Sequence, residues 1–427
     1  MSFTKPKKWI ALVDCDNFFA TCEKIFRPYL KQPLVILSNN DGCVISRSHE
    51  AKALGIPMGA PFFQYEKFFK DHNVAVFSAN FPLYGDMSDR VMSLLEDYSS
   101  EIQIYSIDEA FITIPSSIEN CEEYGQKIIQ EIKQKTGIIL SIGIAETKVL
   151  AKMANYIAKK NRLGCFFLKP DQKEQILDKV PINEIWGIGG QLTQTLKKYN
   201  IQTAWEFCNQ EEGFIRKKLS VVGLRLALEL KGVSCLPFEE LPEPKKSIMS
   251  SRSFGTYTSD YNKIAEALSS YTALASEKLR KQGSIASYVG VFLKTNKHNI
   301  HQEYYANSTI ISLPQASAYT PLLVHAAKLG LKSIYKENTV YKKVGVILGG
   351  LVEENCLQMD FFCENEEELR DKQKKIMDLM DSANLKYQKK ILKFASEGGK
   401  CSSWKMNQTY KSPAYTTSWE QILKIKI

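Results

Sequence analysis

Short apolar runs of strand length alternate along the chain with longer stretches in which apolar positions recur every three or four residues. Over the first 175 residues, strand-like runs fall at 9–13, 34–37, 102–105, 111–114 and 138–145. Helical periodicity marks 17–25, 48–54, 86–95, 121–135 and 147–159. This pattern predicts an α+β domain built on a mixed or antiparallel sheet. Residues 176–240 read as short helices punctuated by glycine. From 247 to 350 the order is strand (248–254), helix (261–282), strands near 288–294 and 308–312, helix (321–335) and strand (344–351). That β-α-β-β-α-β succession predicts one sheet with two helices on a face. Residues 240–246, with Pro242 and Pro244, read as the linker before it. No internal repeat or low-complexity tract interrupts the pattern.

Length and composition narrow the picture without deciding it. A chain of 427 residues, 44% hydrophobic and 24% charged, has material for roughly two to four domains with real cores. Its net charge of +9 permits a nucleic-acid partner without demanding one. The distribution is more telling. Nine lysines stand against Glu397 and Glu420 from Lys386 onward, whereas 353–368 is acidic. The ten cysteines contain no C-x-x-C pair, and the five histidines form no metal-spaced set with them. A zinc site or a disulfide scaffold is therefore not expected, and free thiols in a reducing cytoplasm are. Asp14 and Asp16 cut short the N-terminal apolar run, so no signal peptide fits. No uncharged apolar stretch approaches the ~20 residues of a membrane helix.

Candidate chemistry sits where acids meet strand ends. Tyr105-Ser106-Ile107-Asp108-Glu109-Ala110 places two adjacent carboxylates between two apolar runs, and Asp14 and Asp16 close another. Carboxylates gathered by a sheet make a hard, oxygen-rich site suited to Mg²⁺, which takes a few carboxylates plus waters and substrate phosphates. Two such ions can activate an attacking hydroxyl and stabilise a leaving pyrophosphate. Taken alone, Asp-Glu reads as a surface hairpin with solvated acids, and it is the rest of the chain that overturns that reading.

The wider motif set resembles one family. Leu12-Val13-Asp14-Cys15-Asp16-Asn17-Phe18-Phe19-Ala20, Ser106-Ile107-Asp108-Glu109-Ala110, and Gly143-Ile144-Ala145 followed by Thr147-Lys148 and Leu150-Ala151-Lys152 are similar to the three motifs of Y-family, translesion DNA polymerases. Ser38-Asn39-Asn40-Asp41-Gly42-Cys43-Val44-Ile45, Glu50-Ala51-Lys52-Ala53-Leu54-Gly55 and Ser412-Pro413-Ala414-Tyr415-Thr416-Thr417 resemble its UmuC-type branch. The resemblance runs in order over essentially the whole chain.

It implies a right-hand polymerase: ferredoxin-like palm with small fingers (1–175, fingers about 26–82), helix-hairpin-helix thumb (176–240), β-α-β-β-α-β little finger (241–352), and a clamp-binding segment with a basic regulatory tail (353–427). It implies further that Asp14 and Asp108 bridge two Mg²⁺ ions, with Mn²⁺ as a substitute. Glu109 joins the ion activating the primer hydroxyl, and the backbone carbonyl of Cys15 also ligates. Asp16 has no assigned part. Phosphoryl transfer asks for positioning and charge neutralisation more than covalent catalysis, which agrees.

Phe19 falls at the family's steric gate, where a ring would collide with a 2′-hydroxyl. A core role on an amphipathic helix is the alternative. Lys52 and Lys159 match positions that hold the triphosphate, and Phe18 would cover it through its backbone N–H. The chain departs from many relatives at Asn17 and His49, where they carry Tyr, and at Lys52, where they carry Arg. Lysine lacks the bidentate fork. His49 reads as a phosphate donor or as a solvent-facing helix residue.

Further along, Trp186-Gly187-Ile188-Gly189 resembles the thumb hairpin, whose glycines let backbone N–H groups approach a DNA phosphate. Arg252, Ser253, Lys294 and Lys297 lie on or beside little-finger strands and suit template phosphates. Gln358-Met359-Asp360-Phe361-Phe362 resembles the bacterial sliding-clamp pentapeptide. Trp404, Tyr410, Tyr415 and Trp419 are interleaved with lysines in the tail, which fits nucleic acid or a protein partner.

The expected activity is error-prone, DNA-directed nucleotidyl transfer across damaged template, in an SOS-type DNA damage response and without a proofreading exonuclease. The expected partners are primer–template DNA, dNTP, the sliding clamp, a UmuD-type subunit and a RecA filament. The expected location is the bacterial cytoplasm and nucleoid, with no membrane. Two rivals stand beside this reading: a nucleotide cyclase, which has no use for a DNA grip, and a non-catalytic scaffold docked on the clamp, which has no use for the acidic set.

Overall fold

The computed structural model describes residues 8–238, 243–356, 366–387, 390–399 and 404–423. They divide into two compact units. The first holds the described residues up to Ser38, those from Gly42 to 238, and those from Thr409 onward. The second holds Asn39–Asp41 and 243–408. The stretches expected as palm, fingers and thumb thus lie together, while the expected tail is shared between the units.

In chain order the first unit contains β1 (Lys8–Cys15), α1 (Phe18–Ile25), β2 (Leu34–Leu37), β3 (Val44–Arg47), α2 (His49–Ala53), α3 (Phe62–Asp71), β4 (Ala75–Ser78) and α4 (Phe81–Leu95). There follow β5 (Ile102–Ile104), β6 (Glu109–Pro115), α5 (Cys121–Thr136), β7 (Leu140–Ala145), α6 (Lys148–Lys160) and β8 (Cys165–Phe167). The helical stretch has α7 (Lys173–Leu177), α8 (Gly190–Lys197), α9 (Ala204–Cys208) and α10 (Glu212–Lys231), the last broken at Ser220.

The main sheet runs β5-β6-β1-β7-β8, with β1 antiparallel to both neighbours. Without β8, this is the strand order of a ferredoxin-like β-α-β-β-α-β unit, as expected. β1 shows no polar alternation because both its faces are covered. Trp9, Ala11 and Val13 join the core with α1, α4 and α5, whereas Ile10 and Leu12 join a second core with α6 and the helical stretch. Gly143 is needed where it stands: a Cβ there would lie 2.0 Å from the Asn155 amide nitrogen, so only glycine lets α6 lie this close to β7. Thr147 caps α6 by accepting from the Leu150 amide.

A second, three-stranded sheet, β3-β2-β4, has its own small core of Val35, Leu37, Val44, Ala51, Ile56, Ala60, Phe69 and Val74. It occupies the stretch expected as fingers. α3 and β4 were not expected, and α4 begins at Phe81 rather than 86. Pro82 in its first turn is the start signal.

The second unit contains β9 (Ile248–Thr258), α11 (Tyr261–Lys281), β10 (Ser284–Lys294), β11 (Ala306–Ser317), α12 (Thr320–Ile334), β12 (Tyr341–Glu353) and α13 (Glu366–Lys386). Its sheet is fully antiparallel in the order β11-β10-β12-β9, and both α11 and α12 pack on its core face. α13 is clamped to α11 by a two-pronged ion pair from Arg280 to Asp381, at 2.7 and 2.9 Å. Trp404 is buried in this unit's core, its ring edge-on to Tyr271.

Candidate active site and DNA-binding surfaces

The β1–β6 ladder ends by setting Asp14 directly opposite Glu109. One step on, the Cys15 amide donates to the Asp108 carbonyl at 2.8 Å, which closes the mouth of the hairpin. Ser106 shapes the turn. Its hydroxyl donates to Asp108 Oδ1 at 2.6 Å and accepts from the Asp108 and Glu109 amides. The two motifs separated by some ninety residues of sequence are therefore brought together by a sheet register, not by a loop.

Lysines from α6 answer the acids. Lys152 and Lys159 stand two helical turns apart on one face. Lys152 Nζ bonds Glu109 at 2.9 and 3.2 Å, and Lys159 Nζ is paired with Asp14 and lies 3.7 Å from Asp16. Asp16 is drawn aside: Ser141 Oγ bonds both its carboxylate oxygens at 2.9 Å. Burial pushes the Asp14 carboxyl up to about 7. Lys159 opposes that rise, and the neighbouring Glu109 adds to it. Burial opposes charge on Lys159, but Asp14 and Asp16 outweigh it and raise its pKa. Partial withdrawal from water, Arg47 and Lys159 together lower the pKa of Lys52, against the pull of Asp16 and Asp14.

Among the described residues, no three His, Cys, Asp or Glu side chains are gathered closely enough to hold a metal ion by themselves. The arrangement is two opposed carboxylates with a third beside them, their oxygens engaged by Lys159, Lys152 and Ser106. Carboxylates alone are the donor type of a hard divalent ion that fills its remaining positions with waters and substrate phosphates.

Phe18 and Phe19 part company in the structure. Phe18 is 3% exposed in the main core, while Phe19 is half-buried. One face of Phe19 stacks on Tyr84 at 4.6 Å and 16°, and Phe81 meets it edge-on at 6.0 Å. Asn17, in the left-handed region at φ 51°, opens α1 so that the Phe18 amide sits at its N-terminus. His49 is exposed at the first position of α2, which Ser48 caps.

The glycine hairpin is anchored beside the carboxylates. Trp186 Nε1 donates to the Tyr105 hydroxyl at 3.1 Å, and Lys152 lies over both rings. Gly187 has φ +87°, a conformation that favours glycine, whereas Gly189 has ordinary dihedrals and open space where a Cβ would be. On its near side the hairpin has only a single 3₁₀ turn, Ile182–Glu184.

The expected little-finger residues do not all share a surface. Ser253, Lys343 and Lys294 form one cross-strand row, and Arg252 belongs to the next row with Val344 and Leu293, both buried on the helix side. Arg252 acts electrostatically on Tyr271, whose phenol burial pushes up to about 12 against that cation. Lys297 lies in the turn after β10. On the open face, Phe292 lies across Gly345 and is flanked by the ammonium groups of Lys294 at 5.5 Å and Lys343 at 6.0 Å. Met249, Ser308 and Ile347 complete a shallow depression of about 570 Å³.

Sequence reasoning quoted Ser106 and Lys152 in the motifs without giving them a part at the carboxylates, and it missed Phe292 and Lys343 on this face. The seven-residue spacing of Lys152 and Lys159 was a usable signal. Of the tail aromatics, Trp404, Tyr410 and Tyr415 are spent on contacts within the chain, and Trp419 is 91% exposed. The pentapeptide Gln358 to Phe362 lies outside the described residues.

Comparison with known proteins decides the family. Over 97% of this chain and the whole of its counterpart, the sequence is 37% identical to Protein UmuC of Salmonella typhimurium. The chain belongs to the Y-family of DNA polymerases, in its UmuC, ImpB, SamB and MucB group. The impB/mucB/samB family model matches this Y-family chain at 13–156, its C-terminal domain model matches at 245–361, and a model described only as a domain of unknown function matches at 374–425. DNA polymerase IV of Picrophilus torridus is 30% identical over 83% of the chain and 100% of its own length. In fold, a solved Y-family polymerase chimera of Dbh and Dpo4 covers 81% of the chain and all of its own, with a TM-score of 0.66 at 24% identity. An insertion ternary complex of Dbh DNA polymerase aligns over the same shares at a TM-score of 0.54 and 23% identity.

Proposed function

We infer that this chain is a translesion DNA polymerase, adding deoxynucleotides to a primer opposite damaged template in a bacterial DNA damage response. The observation that carries the reading is full-length kinship with the UmuC group combined with Asp14 set opposite Glu109 beside Asp108. Polymerases of this family work with divalent metal ions. Asp14, Asp108, Glu109 and the Cys15 carbonyl would hold two Mg²⁺ here, with Mn²⁺ as a substitute. When bound, such ions activate a hydroxyl and neutralise the leaving pyrophosphate.

The chain's own residues supply the rest. The Asp14–Glu109 opposition favours a dication between them, because burial and like charge both make Asp14 costly to ionise alone. Lys159, Lys52 and Arg47 form a cationic margin for the triphosphate, with His49 at its edge and the Phe18 amide at the start of α1. Phe19 presents its free side as a barrier to a 2′-hydroxyl. Gly187 and Gly189 offer the hairpin backbone to a duplex phosphate. Ser253, Lys294 and Lys343 with Phe292 offer a basic and aromatic face to template, and Lys297 extends it. Arg252, on the other face, is left out of that role.

Primer extension by the purified chain with Mg²⁺ on undamaged and abasic templates tests the reading. Insertion opposite the abasic site is the expected result. A chain that binds clamp and DNA yet extends neither template, even with a UmuD-type subunit and RecA filament added, would be a scaffold.

We also propose that residues 358–362 dock on the sliding clamp, since Gln, an aliphatic residue and paired aromatics suit a hydrophobic pocket. The chain carrying Phe361→Ala and Phe362→Ala is expected to bind clamp at least about tenfold more weakly. Equal affinity in a titration removes this assignment.

A further inference from the structure

Residues 409–423 pack with the first unit, although all of the second unit's long β-α-β-β-α-β stretch precedes them in sequence. Lys411 forms a parallel bridge with Ser78 at the end of β4. The Tyr410 amide donates to Ser78 Oγ at 3.0 Å, and its ring meets Phe62 edge-on at 5.6 Å. Tyr415 stacks on Phe26 at 4.8 Å and 12°, with the Arg27 guanidinium over its ring. Between these anchors Ser412 is buried. Asn80 Nδ2 reaches Ser412 Oγ at 2.8 Å and the Ser412 and Pro413 carbonyls at 3.2 Å.

Ser412 is there to meet a buried acid. Its hydroxyl donates to Glu23 Oε1 at 2.8 Å. Glu23 is wholly buried, its other oxygen held by Arg27 at 2.6 Å. The Tyr84 hydroxyl donates to the same Glu23 Oε1 at 3.0 Å. Tyr84 is itself wholly buried, and its ring is the one on which Phe19 stacks. A continuous path therefore runs from Ser412 through Glu23 and Tyr84 to the Phe19 ring. The polar links lie among buried side chains, where a lost partner is felt most, and the last link is a flat stack on the half-buried Phe19 ring.

We propose that the segment around Ser412 sets the nucleotide gate, with Ser412 and Tyr84 as positioning residues that fix the Phe19 ring through Glu23. This rests on the reading of Phe19 as the barrier to ribose. It gives the stretch matched only by a domain of unknown function a part in substrate choice. The logic is steric. A gate works by the position of a ring edge, and a displacement of about 1 Å is enough to cost a large factor in such geometry. Tyr84 fixes the plane of Phe19, the Tyr84 hydroxyl fixes Tyr84, and Glu23 stays in place only while its partners are complete.

The test is single-nucleotide insertion by the full chain with Mg²⁺, measuring kcat/KM for dCTP and CTP opposite template dG. The chains compared are wild type, Ser412→Ala, Tyr84→Phe, Phe19→Ala, and Phe19→Ala with Ser412→Ala. Where turnover is too slow to follow, the same ratio is read as the Kd of each nucleotide in a complex with a dideoxy-terminated primer. Ser412→Ala and Tyr84→Phe are each expected to reduce the preference for dCTP by about threefold to tenfold, the scale of one hydrogen bond. Adding Ser412→Ala to Phe19→Ala is expected to change the preference no further.

Collapse of the preference in Phe19→Ala with no change in Ser412→Ala and Tyr84→Phe overturns the proposal and leaves the gate standing. An unchanged preference in Phe19→Ala overturns both. Parallel losses of dCTP and CTP insertion in Ser412→Ala, with their ratio fixed, mean a purely structural role and also overturn the proposal. So does a further drop in the double variant, because Ser412 would then act by another route.

Discussion

A chain carrying Asp108→Ala and Glu109→Ala is expected to extend a primer at least about a thousandfold more slowly than wild type, while remaining folded. Groups that stabilise developing charge at a reacting centre are each worth roughly two to three decades in rate, and this variant removes two. The fold does not depend on them. Asp108 is bonded to Ser106 at the rim, and Glu109 faces Lys152 at the end of the ladder, beyond the apolar core of β6. Removing Glu109 also relieves Asp14, because the Glu109 charge is one cause of the raised Asp14 pKa. The variant's Asp14 should therefore titrate lower than the wild type's, which NMR of a selectively labelled chain would read. An unchanged circular dichroism spectrum with extension lost is the expected pair of results. Extension at the wild-type rate would remove the carboxylates from the chemistry and with them the polymerase site as drawn.

Phe19→Ala is the second large effect. The variant is expected to lose of order 100-fold in preference for deoxyribonucleotides, since the wild-type barrier is a rigid ring rather than a yielding pocket. The structure makes the choice between the two neighbouring phenylalanines. Phe18 is sealed in the core and its loss would cost stability, whereas Phe19 is half-buried and backed on one face by Tyr84. With the ring gone, the Tyr84 face and the Phe81 edge border a space large enough for a hydroxyl. Incorporation of ribonucleotides, followed by alkaline cleavage of the product, reads the outcome directly. Sugar preference equal to wild type would return Phe19 to the core.

Much of this site could be read from the order of residues because strands advertise themselves. The run at 9–13 ends in Asp14 and the run at 111–114 follows Asp108 and Glu109, and a sheet has few ways to join them. The ferredoxin-like strand order followed from that pattern with the helices between. What escaped was set by tertiary context. β4 is four residues long and owes its place to parallel pairing with β2, which no local pattern announces. Helix α3 carries aromatics on more than one side, so no clean apolar stripe announces it. Arg252 and Ser253 look equivalent in a list but point to opposite faces of a strand. Phe292 acquires meaning only because Gly345, distant in sequence but directly opposite on the neighbouring strand, leaves room for its ring. The tail misled most. Lysines interleaved with aromatics suggested an external partner, yet Tyr410, Tyr415 and Trp404 have theirs within the chain.

That tail also bears on how the molecule is made. The first unit needs Ser412 to complete the surroundings of Glu23 and Asn80, but some 170 residues are synthesised between the helical stretch and that serine. At 5–20 residues per second the ribosome holds the first unit unfinished for roughly 9–35 s. Throughout that interval a buried acid and amide face water or a chaperone instead of their partner. A message cut short before this point yields a chain with both globular units in place and an open polar slot. Only a chain translated past Ser412 and Pro413 closes the slot.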